Sequence, residues 1–248
     1  MASLSWLTAQ PVAHRGLHDA ASGVIENTAS AFQAAIDNGF AIETDIQISS
    51  DGEAMVHHDF ALGRLTLGSR MLAAMTATGL ADVPFKATAD RIMTLGALCD
   101  LVAGRVPLLI EIKSRFDGDL RLVTRAEAVL RTYPGPAALM SFDPGPIAEL
   151  RRIAPGLPRG IVAERHYEDA EWRELNERQR RTLAFLLHVP RTRPHFVAYH
   201  VKDLPSPGPW IARNILGMQL LAWTVRNDAD RSRAQRFADQ MIFEGFRP

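Results

Sequence analysis

From Pro11 to Phe243 the chain alternates short apolar strand-like runs with helix-like segments, and this order constrains the fold more than any other feature. Strand-period segments at Pro11–His14, Ala41–Ile48, Pro107–Ile112, Ala137–Ser141, Gly160–Ala163, Phe196–Val201, Gln219–Thr224 and Met241–Phe243 are separated by helix-period segments. A strand joined to the next through a helix implies a parallel sheet. About eight such strands in 248 residues predict an α/β (β/α)8 TIM barrel over an open doubly wound sheet. No Gly-x-Gly-x-x-Gly follows the first strand, which counts against a dinucleotide fold. The stretch from about 60 to 92 is irregular and reads as a short insertion after strand two that covers the site. Met55–His58 is a returning hairpin strand just before it. With no linker or repeat, residues 1–248 are expected to form one domain.

Helix limits are expected from local signals. Thr28 and Thr94 are helix caps, and Asn38-Gly39 is a C-terminal stop. Further helices are expected over Leu120–Arg131, Pro146–Ile153, Trp172–Leu187, Pro209–Leu216 and Asp228–Phe237. Lys+Arg and Asp+Glu balance at 28 each, so no net field favours nucleic acid, and an anionic ligand needs local positive charge. The N-terminus lacks a signal peptide and no stretch is long enough for a membrane span, giving a cytoplasmic expectation. The single cysteine, Cys99, sits in an apolar helical run and reads as a buried hydrophobe.

In a barrel, chemistry gathers at the C-terminal ends of the strands. His14 and Arg15 end the first strand; Glu111 and Lys113 end the third; Ser141, His200 and Trp223 lie near the ends of the fourth, sixth and seventh. Glu43 and Asp45 are two apart on a strand and share a face. If that face is the interior, each carboxylate costs several kcal/mol uncompensated. A hard divalent cation, Mg²⁺ or Ca²⁺, is the simplest compensation, with Glu111 a third oxygen ligand. Lys113 and Arg15 offer neutralisation without metal, and a wet edge-strand face would require none. His14 before Arg15-Gly16 reads as an acid or base beside a bidentate anion fork. His57 and His58 face opposite ways, so only one can reach the site, and strand geometry does not choose between them. Trp223 either floors a pocket or packs the core. Ser141 has no nucleophile elbow. His18, His166, His188 and His195 are expected to be solvated, as is the Arg178, Arg180, Arg181 run.

The assembled motifs resemble the glycerophosphodiester phosphodiesterase family. The matching text is His14-Arg15-Gly16, Glu26-Asn27-Thr28 with Ala31-Phe32, Ile42-Glu43-Thr44-Asp45, Asp51-Gly52, Val56-His57-His58-Asp59 with Leu62, Arg64 and Thr66, Ile110-Glu111-Ile112-Lys113, Ser141-Phe142 and Trp223-Thr224-Val225. The resemblance implies a (β/α)8 barrel and cation-dependent cleavage of glycerophosphodiesters to glycerol 3-phosphate and an alcohol. It implies His14 and His58 as general acid and base, because the family's second histidine directly precedes the aspartate; His57 then points away from the site. It implies Glu43, Asp45 and Glu111 as metal ligands and Arg15 and Lys113 as phosphate holders, with His200 and Trp223 as further substrate contacts. The chain departs from the family pattern at Ile25, Leu65 and Met93, and at Glu244–Pro248, where Thr-Asp-x-Pro is common. No length remains after Pro248 for an eighth outer helix, so Ser3–Leu7 is expected to cover that seam. Two rival readings are a lysophospholipid-cleaving relative, which needs an apolar channel to which Met71, Leu72, Met75 and Phe85 could contribute, and a non-catalytic barrel that binds glycerophosphodiesters.

Overall fold

The structure is a computed structural model that describes residues 4–169 and 172–248. In chain order its elements are β1 (Val12–Ala13), α1 (Ala29–Asp37), β2 (Ala41–Ile48), β3 (Ala54–Val56), α2 (Ala77–Ala81), α3 (Leu95–Val102), β4 (Leu108–Ile112), α4 (Arg121–Leu130), β5 (Ala137–Ser141), α5 (Pro144–Ile153), β6 (Arg159–Ala163), α6 (Glu177–Ala184), α7 (Val189–Thr192), β7 (Phe196–His200), α8 (Pro207–Asn214), β8 (Gln219–Val225), α9 (Asp228–Phe237) and β9 (Gln240–Phe243). All strands but β3 pair in parallel, in the order β1-β9-β8-β7-β6-β5-β4-β2, and β1 returns to β2. Val12 pairs with both Ala41 and Ile242, which closes the sheet into the expected (β/α)8 barrel. Because β1 has only two residues, the far end of β2 is free on that side. The antiparallel β3 takes it, pairing Ile46 with Val56 and Ile48 with Ala54.

Strand alternation sorts the side chains into two cores. Ile42, Ile46, Leu108, Ile110, Ile112, Leu139 and Val197 face outward under the helices. Ala41, Leu109, Ala138, Met140, Val162, Phe196, Ala198, Leu221 and Ile242 fill the barrel interior. Period two then puts Glu43, Asp45 and Glu111 inside. The alternative of a wet edge strand falls away, since β2 is flanked by β1 and β4. Gly160 marks how tightly the interior is filled. A Cβ there would lie 2.3 Å from the Phe196 ring.

The seam closes differently from the expectation. Leu7 is buried in the interior cluster, with Leu4 and Trp6 against it. Thr8 accepts hydrogen bonds from Gln219 and Gln240, the first residues of β8 and β9. This segment therefore plugs the bottom of the barrel, opposite the site, rather than covering the outside of β9; Ser3 lies outside the described residues. The outer face of Phe243 is covered instead by Phe40, edge-on at 5.0 Å, and Phe246 at 5.6 Å.

Thr28 and Thr94 cap α1 and α3 as expected. The helix expected over Trp172–Leu187 is cut short. Asn176 and Gln179 form a capping box that starts α6 only at Glu177, and the chain turns again at Phe185–His188 before α7. Helices α5 and α8 each begin two residues earlier than expected, at Pro144 and Pro207, where proline is favoured in a first turn. The insertion packs Leu62, Leu72, Leu80, Phe85 and Ile92 into a small core with Ile25 and with Met55 of β3. Of its apolar residues proposed for a channel, Leu72 and Phe85 are spent on that packing, and Met71 is exposed. His188 is buried rather than solvated, and burial lowers it to about 4. Cys99 is buried and its thiol is pushed up to about 12, first by desolvation and then by Asp100.

Candidate active site

The site is assembled at the C-terminal mouth of the barrel, and its first part is the turn after β1. Arg15 and Gly16 both have positive φ, at 56° and 81°. At Gly16 this matters twice, because a Cβ would also meet Ala31 at 2.9 Å. The turn aims the Arg15 amide into the site, where it donates to Glu43 Oε2 at 3.0 Å. It also carries the Arg15 guanidinium to Glu26 Oε1 (2.8 Å) and Asp45 Oδ2 (3.3 Å). Asn27, likewise at positive φ, is buried behind this turn. Its side-chain amide donates to Asp45 Oδ2 at 2.9 Å and its carbonyl accepts from the Thr44 hydroxyl at 2.8 Å. Asn27 thus fixes the orientation of Asp45, a role that the Glu26-Asn27-Thr28 text flags without revealing.

Glu43, Asp45 and Glu111 bring one carboxylate oxygen each to within 4.8 Å of one another, and all three are buried. Lys113 reaches Glu111 at 2.8 Å and Asp45 at 3.1 Å. Three carboxylates therefore face two cations, and Arg15 is also shared with Glu26. Burial pushes Asp45 upward, but Lys113 and Arg15 outweigh it and hold Asp45 well below the usual carboxylate range. Glu43 goes the other way: burial, then the charges of Asp45 and Glu111, raise it well above the ordinary value. Glu111 is also raised, chiefly by burial, with Lys113 opposing. With all three ionised, the cluster would carry more negative charge than Lys113 and Arg15 neutralise, which is why Glu43 and Glu111 are pushed upward. Three converging hard oxygen donors fit Mg²⁺ or Ca²⁺, and a thiolate or imidazole ligand for a softer metal is lacking in this group.

The histidines flank this cluster. His14 Nε2 lies 3.9 Å from Glu43 Oε2, while its Nδ1 lies 2.8 Å from Glu244 Oε2. Burial lowers His14 to about 4, with the Glu244 hydrogen bond working against it. His58 Nδ1 lies 2.8 Å from Asp59 Oδ1. Asp59 is in turn gripped by Arg64, which also reaches Glu26, so the insertion is tied to the mouth through ion pairs. His58 lines the cavity and His57 does not. His57 is not outward in the sense of solvated, however, because it is buried at 2% exposure.

The cavity above these groups measures about 750 Å³. His14, Arg15, Glu43, His58, Glu111 and Lys113 form one side; Phe116, Phe142, Trp172 and Trp223 form the other. Asp45 sits behind the wall rather than in it. Trp223 packs edge-on against Phe142 at 5.4 Å, and Phe142 against Trp172 at 4.9 Å. His200 does not line the cavity; its ring lies tilted against Trp223 at 5.1 Å and its Nδ1 lies 3.3 Å from Asp203. Ser141 donates to the Ile112 carbonyl and is structural. Glu244, Phe116 and Trp172 were not legible as site residues, since only closure of the barrel and the long loops bring them to the mouth.

A closed (β/α)8 barrel thus carries a buried acidic cluster, two histidines and two cations at its C-terminal mouth. Residues 14–246 match the sequence model of the glycerophosphoryl diester phosphodiesterase family, and the chain belongs to that family. It is 28% identical over 177 residues to a Mycobacterium tuberculosis protein named probable glycerophosphodiester phosphodiesterase 1, covering 62% of this chain and 64% of that one. The chain thus spans just under two thirds of that relative's length. It is 26% identical over 232 residues to the glycerophosphodiester phosphodiesterase of Caldanaerobacter subterraneus, covering 90% and 88%. In fold it is similar to an Oleispira antarctica phosphodiesterase solved with the product sn-glycerol-3-phosphate. That match has a TM-score of 0.76 and 17% identity, covering 95% of this chain and 92% of the other. A glycerophosphodiester phosphodiesterase from Thermotoga maritima matches with a TM-score of 0.71 and 22% identity, covering 94% of each. At these identities the solved structures speak to fold alone.

Proposed function

We propose that the chain is a divalent-cation-dependent phosphodiesterase that hydrolyses glycerophosphodiesters to glycerol 3-phosphate and an alcohol. The carrying observation is the carboxylate triad of Glu43, Asp45 and Glu111, of which Glu43 and Glu111 line a cavity shared with His14, His58, Arg15 and Lys113. The triad would hold Mg²⁺ or Ca²⁺. Such an ion, when bound, supplies Lewis acidity to the phosphate oxygens. Arg15 and Lys113 bind the phosphodiester and favour the extra charge of its transition state. One histidine accepts the proton of the nucleophile and the other protonates the leaving alkoxide. The nucleophile is either water or the glycerol 2-hydroxyl; the second route passes through a cyclic phosphate that phosphorus NMR would detect. The named activities of the M. tuberculosis and Caldanaerobacter relatives support the reading. The substrate is a small molecule rather than nucleic acid, in keeping with the balanced charge. A cytoplasmic location belongs to the same proposal; among the described residues no helix is long and apolar enough to cross a membrane.

The test is release of glycerol 3-phosphate from glycerophosphocholine with Mg²⁺ or Ca²⁺ supplied. Binding of the diester without release would instead support a non-catalytic barrel. One observation favours a second reading. The aromatic wall of Phe116, Phe142, Trp172 and Trp223 offers apolar area that a bare glycerol or choline group does not fill. A lysophospholipid cleaved faster than glycerophosphocholine would favour that reading.

A further inference from the structure

His58 and His14 are held in the same way by unrelated parts of the chain. In His58 the adjacent residue Asp59 takes Nδ1. In His14 the partner is Glu244, which is 230 residues away in sequence and is delivered to the mouth by β9. Period two along β9 places Glu244 on the same face as Ile242, which fills the barrel interior. Its position is fixed by the ladder that closes the barrel: His14 N–H donates to the Phe243 carbonyl at 3.0 Å, and Ala13 pairs with Phe243. The carboxylate is held from the other side by Arg226, whose Nη2 lies 2.8 Å from the same Oε2. Arg226 follows β8 and lines the cavity.

An ionised carboxylate only accepts hydrogen bonds, so a 2.8 Å contact requires the proton of a neutral imidazole to sit on Nδ1. That leaves Nε2 with its lone pair, and Nε2 is the atom 3.9 Å from Glu43 Oε2, on a residue that lines the cavity. Without the carboxylate the ring could rotate or adopt the other tautomer, and the lone pair would point away from the reacting atoms. The charged groups around His14 are Glu43 and Asp45 from β2, Arg15 from its own turn and Glu244 just after β9; His18 Nε2 in turn approaches Glu244 Oε1 at 4.0 Å. Among the described residues, Glu244 is the hydrogen-bond partner of Nδ1.

We propose that Glu244 is a positioning residue that locks His14 in the Nδ1–H tautomer and aims its Nε2 at the substrate, so that the site contains two histidine–carboxylate dyads. The proposal rests on the assignment of His14 to acid–base chemistry, and its test separates the two. Selective ¹⁵N-histidine labelling, with the His14 signals assigned by their loss in His14→Gln, reads the tautomer directly and does not depend on turnover. Wild type shows the Nδ1–H pattern; Glu244→Ala shifts it towards Nε2–H or an exchanging mixture, and Glu244→Gln, which keeps an acceptor, retains most of it. With glycerophosphocholine, Glu244→Ala lowers kcat on the order of 10²-fold with KM within about twofold, as befits a misaligned acid–base group. Glu244→Gln loses clearly less. An unchanged His14 tautomer in Glu244→Ala overturns the proposal, whatever happens to the rate. So does an unchanged kcat, or a loss in Glu244→Gln as large as in Glu244→Ala. If His14→Gln were fully active, the catalytic assignment of His14 would fail while the tautomer spectra still decided the contact.

Discussion

Around the barrel mouth, β1, β2 and β4 present Arg15, Glu43, Asp45, Glu111 and Lys113, whereas β5 and β8 present Phe142 and Trp223, with Trp172 above them. Both halves are built at and just beyond the ends of parallel strands, with loop residues added on the aromatic side, yet they are filled with opposite chemistry. The charged half is a poor way to stabilise a fold, because several ions are withdrawn from water and paired imperfectly. That cost supports the proposal that this is the reacting half. The aromatic half is ordinary packing except that it lines a cavity, which under the proposed function suits it to recognise the group attached to the phosphate. Chemistry and selectivity are therefore expected to separate under mutation.

The largest effects belong to the charged half. Glu43→Gln, isosteric but uncharged, is expected to abolish cation binding measured by calorimetry and to lower kcat by about 10³-fold or more; unchanged cation affinity would remove Glu43 from the ligand set. The two adjacent histidines sharpen the contrast further. His58→Ala is expected to cost on the order of 10³-fold in kcat. His57→Ala should leave kcat within a few-fold but lower stability by about 1–3 kcal/mol, since it empties a buried site. Chemical denaturation alongside kinetics separates the two outcomes, and the reverse pattern would exchange their roles.

The aromatic half should respond in KM. Phe142→Ala is expected to raise KM by about 10-fold for diesters with bulky alcohols and to change kcat little. An equal loss of kcat for every substrate would mean that the two halves are not separable. The smallest effect tests the frame that holds the charged half. Burial works to raise Glu26, but Arg64 and Arg15 outweigh it and lower it to about 2. Its folded value is depressed, so its contribution is present above about 4.5 and fades as pH falls towards 2. Wild type should lose on the order of 1–2 kcal/mol across that window relative to Glu26→Gln, after allowance for partial solvent exposure. Parallel acid-denaturation curves for the two proteins would contradict this.

Much of the charged half could be read in the sequence because its signals are local. Glu43 and Asp45 share a face by spacing alone, and His14-Arg15-Gly16 and His58-Asp59 are contiguous. Even there, strand geometry could not choose between His57 and His58; the family pattern supplied that. The alternation of segments carried the fold class, and the closed parallel sheet agrees with it. What was hidden depends on closure. The Glu244–His14 contact needs β9 to meet β1, and Leu7 could not be recognised as the plug of the barrel interior from a short apolar segment. The aromatic wall draws on Phe116 and Trp172 from loops whose course no periodicity describes. The shortened α6 was readable in principle, since Asn176 and Gln179 have capping-box spacing.

The most direct test of the central claim is the release of glycerol 3-phosphate from glycerophosphocholine by chelator-stripped protein, followed as Mg²⁺ or Ca²⁺ is titrated back. No turnover is expected without the ion, and recovery should be saturable and absent in Glu43→Gln. Full activity in excess chelator, or no activity with either ion, would contradict it.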